Sequence, residues 1–142
     1  MKTYRGSMLW RFDNFGFAVT GAAIGDVDGD RHPEVIVASE TGYLYVLNAA
    51  GRKEWHIDFG DALCALKLAD LNRDGLFEII IGGDNSCVAV VDSQGRIASW
   101  QLETAKVMKI EVSDSDSNKA VTPIILIATS NGQLVAYSGS VK

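Results

Sequence analysis

The sequence predicts an all-β fold of short strands. Short apolar runs alternate with turns rich in glycine and aspartate throughout the 142 residues, as is typical of strands joined by tight turns. No stretch of about 12 residues carries the apolar period of about 3.6 that indicates a helix. The predicted strands include VIVAS (35–39), YLYVLN (43–48), IIIGG (79–83), CVAVVD (87–92), IILIATS (124–130) and QLVAYS (133–138).

The chain also repeats itself three times. An aspartate recurs every 44 residues and a tryptophan every 45, at Asp26, Asp70 and Asp114 and at Trp10, Trp55 and Trp100. The repeats span approximately residues 10–54, 55–99 and 100–142 of a single domain, 1–142. Repetition at this period indicates one supersecondary unit used three times.

Each repeat predicts four antiparallel strands in the same order. One strand carries the tryptophan and belongs to the end of a blade, and the next strand along the chain runs through 18–24, 62–69 or 107–113. The third follows an acidic turn, and the fourth follows a tight turn. Four short strands in about 45 residues is the period of a β-propeller blade. We therefore predict three four-stranded blades, with a tryptophan filling the wedge between neighbouring blades.

Closure is a problem for three blades, because propellers close with about 4–8. A three-bladed arc would leave edge strands and apolar faces open at both ends. A tryptophan strand, Leu9–Phe12, precedes the first blade, and the strand at 133–138 has no such successor in the chain. We predict a homodimer in which these two strands pair between chains, giving a six-bladed propeller.

The acidic turns carry a resemblance to a known repeat. The turns DVDGDRHPE (26–34) and DLNRDGLFE (70–78) lead into EVIVAS and EIIIGG. They resemble FG-GAP repeats, the repeats of integrin-α-like propellers. The G-x-x-x-W of residues 51–55 is similar to the PQQ-type propeller repeat. The resemblance covers roughly residues 8–138 and implies the propeller fold and calcium in the turns.

Nine of the 18 acidic residues fall in three such turns. Crowded carboxylates repel one another, and Ca²⁺ removes that repulsion because it takes about 6–8 oxygen ligands in flexible loops. The candidate ligands are Asp26, Asp28, Asp30, His32 and Glu34 in the first turn and Asp70, Asn72, Asp74, Leu76 and Glu78 in the second. Leu76 would contribute its backbone carbonyl, and Gly75 permits the bend, which Arg31 must make in the first turn. An EF-hand is excluded because Ile81 stands where its twelfth-position Glu belongs.

Two alternatives concern these turns. The third turn has Asp114, Asp116 and Asn118 but is longer, with Thr122 at the ninth position, and we expect it to bind calcium weakly or not at all. Aspartate-rich turns also occur as metal-free loops, because an aspartate side chain accepts hydrogen bonds from its own turn.

Composition excludes several functions. A net charge of −5 without a run of Lys or Arg argues against binding to nucleic acid. No apolar run approaches the roughly 18 residues of a membrane span, and residues 1–12 lack the apolar stretch of a signal peptide. The two histidines, His32 and His56, support neither a catalytic triad nor a zinc site. The cellular compartment stays open.

The leading hypothesis is a non-enzymatic propeller scaffold that presents its loops to another protein, with calcium as a structural cofactor. One alternative is a piece of a larger propeller enzyme, either a polysaccharide lyase or a quinoprotein-like oxidoreductase. Another is a glycan-binding lectin, for which the candidate aromatic residues are Tyr43, Tyr45 and Phe77. The enzymes are disfavoured because the only broken repeat, at 117–122, brings no catalytic residue type.

Overall fold

The computed structural model describes residues 5–113 and 123–138, which form eleven strands and no helix. Blade 1 contains β1 (Val19–Gly25), β2 (Glu34–Ser39), β3 (Tyr43–Leu47) and β4 (Lys53–Asp58). Blade 2 contains β5 (Leu63–Ala69), β6 (Glu78–Gly83), β7 (Cys87–Val91) and β8 (Ile97–Leu102). Blade 3 contains β9 (Val107–Val112), β10 (Ile124–Thr129) and β11 (Leu134–Ser138).

Each blade is an antiparallel meander in which consecutive strands are neighbours. The predicted all-β blade architecture is confirmed. The inner strands pack side by side, β1 against β5 and β5 against β9. The tryptophan strand is the fourth and outermost strand of blades 1 and 2, whereas blade 3 has three strands within the described residues.

The core lies between the blades. Alternate residues of one strand point to opposite faces, so Ile79 and Ile81 pack towards blade 1 while Ile80 packs towards blade 3. All three side chains are 0–1% exposed. The apolar runs lack strict alternation because both faces of a central blade are covered.

Segment Leu9–Phe12, predicted to pair with a strand of a second copy, is not a strand within the single chain. These residues form no backbone ladder in the described part of the chain, because none of the eleven described strands pairs with them. Their side chains hold them in place instead, since Trp10 and Phe12 pack against a buried cluster on the outer face of blade 1. That cluster consists of Val37, Tyr45 and Leu47.

The tryptophans make repeated contacts. The Trp55 ring of β4 lies over Gly95 in the β7–β8 turn of blade 2, where an added Cβ would be 3.5 Å from the ring. The Trp10 ring lies in the same way over Gly51 in the β3–β4 turn of blade 1, and its Nε1 donates a hydrogen bond to Ala49 O at 3.0 Å. Segment 9–12 therefore contacts blade 1 as β4 contacts blade 2. The side chain of Trp100 lies outside the described part of the chain.

Candidate functional site

The two acidic turns, 26–34 between β1 and β2 and 70–78 between β5 and β6, share one backbone shape. Their fourth and sixth residues have left-handed φ angles, 87° at Gly29 and 69° at Arg31 in the first turn. In the second turn these angles are 63° at Arg73 and 89° at Gly75. Glycine and arginine have exchanged places between the turns. Arg31 therefore does make the bend for which Gly75 is used in the second turn.

The first aspartate of each turn accepts two backbone hydrogen bonds. Asp26 accepts from Gly29 N at 2.7 Å and from Arg31 N at 2.9 Å. Asp70 accepts from Gly75 N at 2.9 Å and from Asp74 N at 3.1 Å. Desolvation raises the pKa of Asp26, but these backbone donors outweigh it and hold the pKa below its ordinary value. The carboxylate is thus the favoured form.

The interior side chains of the turns continue this pattern. In the first turn Asp28 accepts from Asp30 N and Asp30 from His32 N, at 2.9 and 2.7 Å. In the second, Asn72 accepts from Asp74 N and Asp74 from Leu76 N, at 3.1 and 2.9 Å. Such side-chain bonds to the residue two further on are how aspartate and asparagine stabilise turns.

A buried glutamate closes each turn at the start of the next strand. Glu34 is 1% exposed and Glu78 3% exposed. Their Oε2 atoms accept hydrogen bonds from Val27 N at 2.8 Å and Leu71 N at 2.6 Å. Burial raises the pKa of both carboxyl groups, and these backbone hydrogen bonds act in the opposite direction.

The predicted acidic ligands come together in both turns. Oxygen atoms of Asp26, Asp28, Asp30 and Glu34 lie within 4.8 Å of one another, as do those of Asp70, Asp74 and Glu78. All of these donors are oxygens, which is the donor chemistry that Ca²⁺ prefers. The side chain of His32 is exposed, so in this position the residue would contribute its backbone carbonyl, as Leu76 would in the second turn.

Blade 3 lacks the closing glutamate. Glu34 pairs with Gly25 and Glu78 with Ala69 in their ladders. In blade 3 the residue equivalent to Ala69 is Ser113, 44 residues later. Its strand partner is Ile124, whose backbone O accepts a hydrogen bond from Ser113 N at 2.8 Å. The longer third turn thus places an isoleucine, not the predicted Thr122, at the ninth-position equivalent. Asp114, Asp116, Asn118 and Thr122 lie outside the described residues.

Neighbouring turns touch. A Cβ at Gly29 would lie 3.0 Å from Leu76 Cδ2, and one at Gly25 would lie 2.8 Å from the Phe77 ring. Phe77 N also donates to Asp26 O at 3.4 Å. Phe77, a candidate for glycan binding in the sequence, therefore covers the backbone of blade 1.

A cavity of about 310 Å³ lies on the outer face of blade 1. The two other aromatic candidates line it: Tyr45 is 7% exposed, and Tyr43 stacks on it with ring centroids 5.6 Å apart. Sequence reasoning missed Asn14, Phe15 and Phe17 in the same wall. Phe15, Gly16 and Ala18 recur 44 residues later as Phe59, Gly60 and Ala62, and Phe59 packs against the core between blades 1 and 2. His56, which the sequence left without a role, also lines the cavity.

These blades define the chain as an arc of a β-propeller, and comparisons with known proteins agree. Residues 1–66 match the model of the λ-carrageenase β-propeller domain. The chain matches no curated protein sequence. Among the described residues there is no helix with the length and apolar character needed to cross a membrane.

Solved structures share the fold at low sequence identity. The structure of BBS1N in complex with ARL6DN has a TM-score of 0.68 and 18% identity, with 88% of this chain and 38% of that chain covered. The polycomb repressive complex 2 of Chaetomium thermophilum has a TM-score of 0.70 and 12% identity, covering 96% and 31%. The chain thus spans less than two fifths of the length of these structures.

Proposed function

We propose that the chain is a non-enzymatic propeller scaffold that closes into six blades with a second copy and presents its loops to another protein. The observation that carries the proposal is that blade 3 exposes positions that are buried in blades 1 and 2. Support for a protein partner comes from the similar propellers, since BBS1N was crystallised with ARL6DN and the polycomb chain within its complex.

The exposed positions of blade 3 are identified by strand register. Leu44, Val88 and Leu134 occupy one position, opposite Ala38, Gly82 and Ala128 respectively. Leu44 is 0% and Val88 6% exposed, but Leu134 is 70% exposed. Burying a leucine side chain stabilises a protein by about 1.5–3 kcal/mol, so a further blade on this face would be favourable.

The other end of the arc offers a complementary surface. Trp10 and Phe12 lie on blade 1 as Trp55 and Ile57 of β4 lie on blade 2. Segment 9–12 therefore occupies the place of the outermost strand of a preceding blade. Blade 3 of a second copy, set beside it, would supply the three inner strands of that blade. Two-fold closed dimers are the commonest oligomers.

Sedimentation equilibrium tests the closure. We expect a particle of twice the chain mass of 15.3 kDa. Leu134→Glu should shift the particle towards monomer or aggregate, because it places a charge in the junction. Gln94→Glu, on the exposed β7–β8 turn of blade 2, adds the same charge and should leave the dimer intact. A well-folded monomer, or a trimer of nine blades, would contradict the proposal.

We also propose that turns 26–34 and 70–78 each hold one structural Ca²⁺. The support is the convergence of four carboxylates in the first turn and three in the second. The side chain of Asn72 and the backbone carbonyls of His32 and Leu76 would add oxygen ligands. Bound calcium would offset the repulsion between these carboxylates and hold the turns in place.

Calorimetric titration and thermal melting test the metal. We expect two ions per chain and a higher melting temperature in calcium than in EDTA, because a ligand of the native state stabilises it by about 2.7 kcal/mol at 100 times its Kd. Asp74→Ala should remove one ion, whereas Asp61→Ala, on the exposed β4–β5 loop, should remove none. Identical melting curves in calcium and EDTA would favour the metal-free turns.

A second candidate function is a domain of a polysaccharide-degrading enzyme, and the match of residues 1–66 to the λ-carrageenase propeller favours it. The test is release of reducing ends from λ-carrageenan by the purified chain. If the activity that releases reducing ends co-purifies with the chain, the chain is an enzyme and the scaffold proposal is wrong. No release at high chain concentration would argue against catalysis by this arc.

A further inference from the structure

Blade 1 has an open face on the side away from blade 2. Val19, Leu63 and Val107 are the first residues of the inner strands β1, β5 and β9. Leu63 and Val107 are 2% and 0% exposed, because each lies in the cluster that its blade shares with the preceding blade. Val19 is 50% exposed. The arc therefore lacks a neighbour before blade 1, as it lacks one after blade 3 beside Leu134.

Phe15 differs from its counterpart in the repeat in the same way. Phe59, 44 residues later, is half-buried and packs against the core between blades 1 and 2, whereas Phe15 is 79% exposed. The backbone of Phe15 is left-handed, with a φ of 54°, and that of Phe59 is not. A left-handed backbone is unfavourable for a bulky residue, and strain of this kind clusters at binding and switch regions. Phe15 thus has the sequence position of a junction residue without its burial or its backbone.

The two complete blades show how such a residue pairs. Phe59 N donates a hydrogen bond to Gly42 O at 2.9 Å, and Glu103 N donates one to Ser86 O at 2.7 Å. Each bond joins the residue that follows the outermost strand to the turn between the second and third strands of the same blade. Gly132 holds the same place in the β10–β11 turn, because its N–H, like those of Gly42 and Ser86, donates to the carbonyl three residues earlier.

The tryptophan contacts set the register of the missing strand. Asp13 and Asp58 each follow, by three residues, a tryptophan that lies on an equivalent glycine. Asp58 is opposite Tyr43 in the ladder of blade 1. Gln133 holds the place of Tyr43 in blade 3, because it directly precedes Leu134, as Tyr43 directly precedes the equivalent leucine of blade 1. This register would place Asp13 opposite Gln133 of a second copy.

We propose that Phe15 anchors the junction between two copies, with residues 13–15 extending the strand that segment 9–12 adds to blade 3 of the second copy. Phe15 N donates to Gly132 O of that copy. The ring packs between the two chains as Phe59 packs between blades 1 and 2, and the backbone leaves its left-handed conformation to reach this position. The inference rests on the proposed closure and adds the register and the principal contact of the junction.

Oxidative cross-linking tests the register, in a chain with Cys64→Ser and Cys87→Ser so that no native thiol reacts. Asp13→Cys combined with Gln133→Cys should give a covalent dimer, because opposite residues of antiparallel strands have Cβ atoms about 4.5–5.5 Å apart. Both parent side chains are exposed, so the substitutions leave the core intact. Asp13→Cys combined with Ser138→Cys should give none, because the second site lies about 16 Å further along β11 at about 3.3 Å per residue.

Matched variants test the anchor. Phe15→Ala should raise the dissociation constant of the dimer at least about tenfold, which corresponds to about 1.4 kcal/mol, because it removes the ring from the junction. Phe17→Ala, in the same loop, should leave that constant unchanged, because its counterpart Asp61 is exposed although blades 1 and 2 are in contact. Circular dichroism equal to that of the parent would exclude misfolding as the cause of weaker association.

Sedimentation equilibrium separates this inference from the closure on which it rests. If the parent is a dimer but the 13–133 pair does not cross-link, the register is wrong and the closure stands. If Phe15→Ala associates like the parent, or Phe17→Ala is weakened as much as Phe15→Ala, the anchor is wrong and the closure again stands. If the parent is a folded monomer, the closure and the inference are both wrong.

Discussion

At the scale of single residues, backbone conformation is preserved between the repeats while residue identity is not. The fourth and sixth positions of both acidic turns are left-handed, yet each turn fills one with glycine and the other with arginine. A left-handed φ costs a non-glycine residue about 1–2 kcal/mol. The two aspartate-centred hydrogen bonds at Asp26 and the two at Asp70 hold the chain in this shape despite that cost.

Gly51→Ala tests the packing of Trp10. Gly51 has a φ of 80°, and a Cβ there would lie 2.5 Å from Trp10 Cδ2. We expect the left-handed penalty of about 1–2 kcal/mol plus the cost of displacing the ring, measured as the free energy of unfolding in denaturant. Gly132→Ala is the control, since its φ is 86° and nothing lies within 4 Å. Equal losses in the two variants would mean that the Trp10 ring is not packed on this turn.

At the scale of the elements, each acidic turn is held together from its far end by a strand residue. Glu34 and Glu78 begin β2 and β6, and each reaches back to the N–H of a buried apolar residue, Val27 or Leu71. The sequence predicted both glutamates as metal ligands, and that stays a prediction. The structure adds a backbone hydrogen bond that each of them accepts within its own turn.

Glu78→Ala separates these two roles. In EDTA the variant should lose about 1–3 kcal/mol of unfolding free energy, because Leu71 N is left buried without an acceptor. Glu78→Gln keeps an amide oxygen and should lose less. Glu54→Ala, exposed on β4, should be close to neutral. If Glu78→Ala matters only when calcium is present, the carboxylate acts as a ligand and not as a closure of the turn.

The strands were predictable because repetition and apolar runs both reflect burial between blades. Segment 9–12 was predicted as a strand that pairs with residues 133–138 of a second copy, and that pairing stays a prediction because the structure contains one chain. The cavity residues Asn14, Phe15 and Phe17 stayed hidden because their loop repeats at residues 58–62 and therefore indicates blade architecture rather than a site. Ile124 was missed at the end of the third turn because that turn is two residues longer. The residue equivalent to Glu78 therefore lies two positions beyond the one that the 44-residue repeat predicts.

At the scale of the whole molecule, the two ends of the arc differ in how their apolar surface is covered. On blade 1, Trp10 and Phe12 cover Val37, Tyr45 and Leu47, which are 0–7% exposed. On blade 3, Leu134 remains 70% exposed. Segment 9–12 thus protects one end within a single chain, and under the proposed closure it would also supply the outer strand for the other end of a second copy.

Deletion of residues 1–13 should therefore damage both ends together. It removes Trp10 and Phe12 from the buried cluster on blade 1, and truncation of one such buried aromatic costs about 3–5 kcal/mol, a large part of the roughly 5–15 kcal/mol that stabilises a domain. We expect aggregates or unfolded chain in sedimentation velocity and circular dichroism. Deletion of residues 1–8 is the control, because it keeps both aromatic side chains and should sediment and melt like the parent. A stable, folded monomer after deletion of 1–13 would mean that segment 9–12 neither covers blade 1 nor joins two chains.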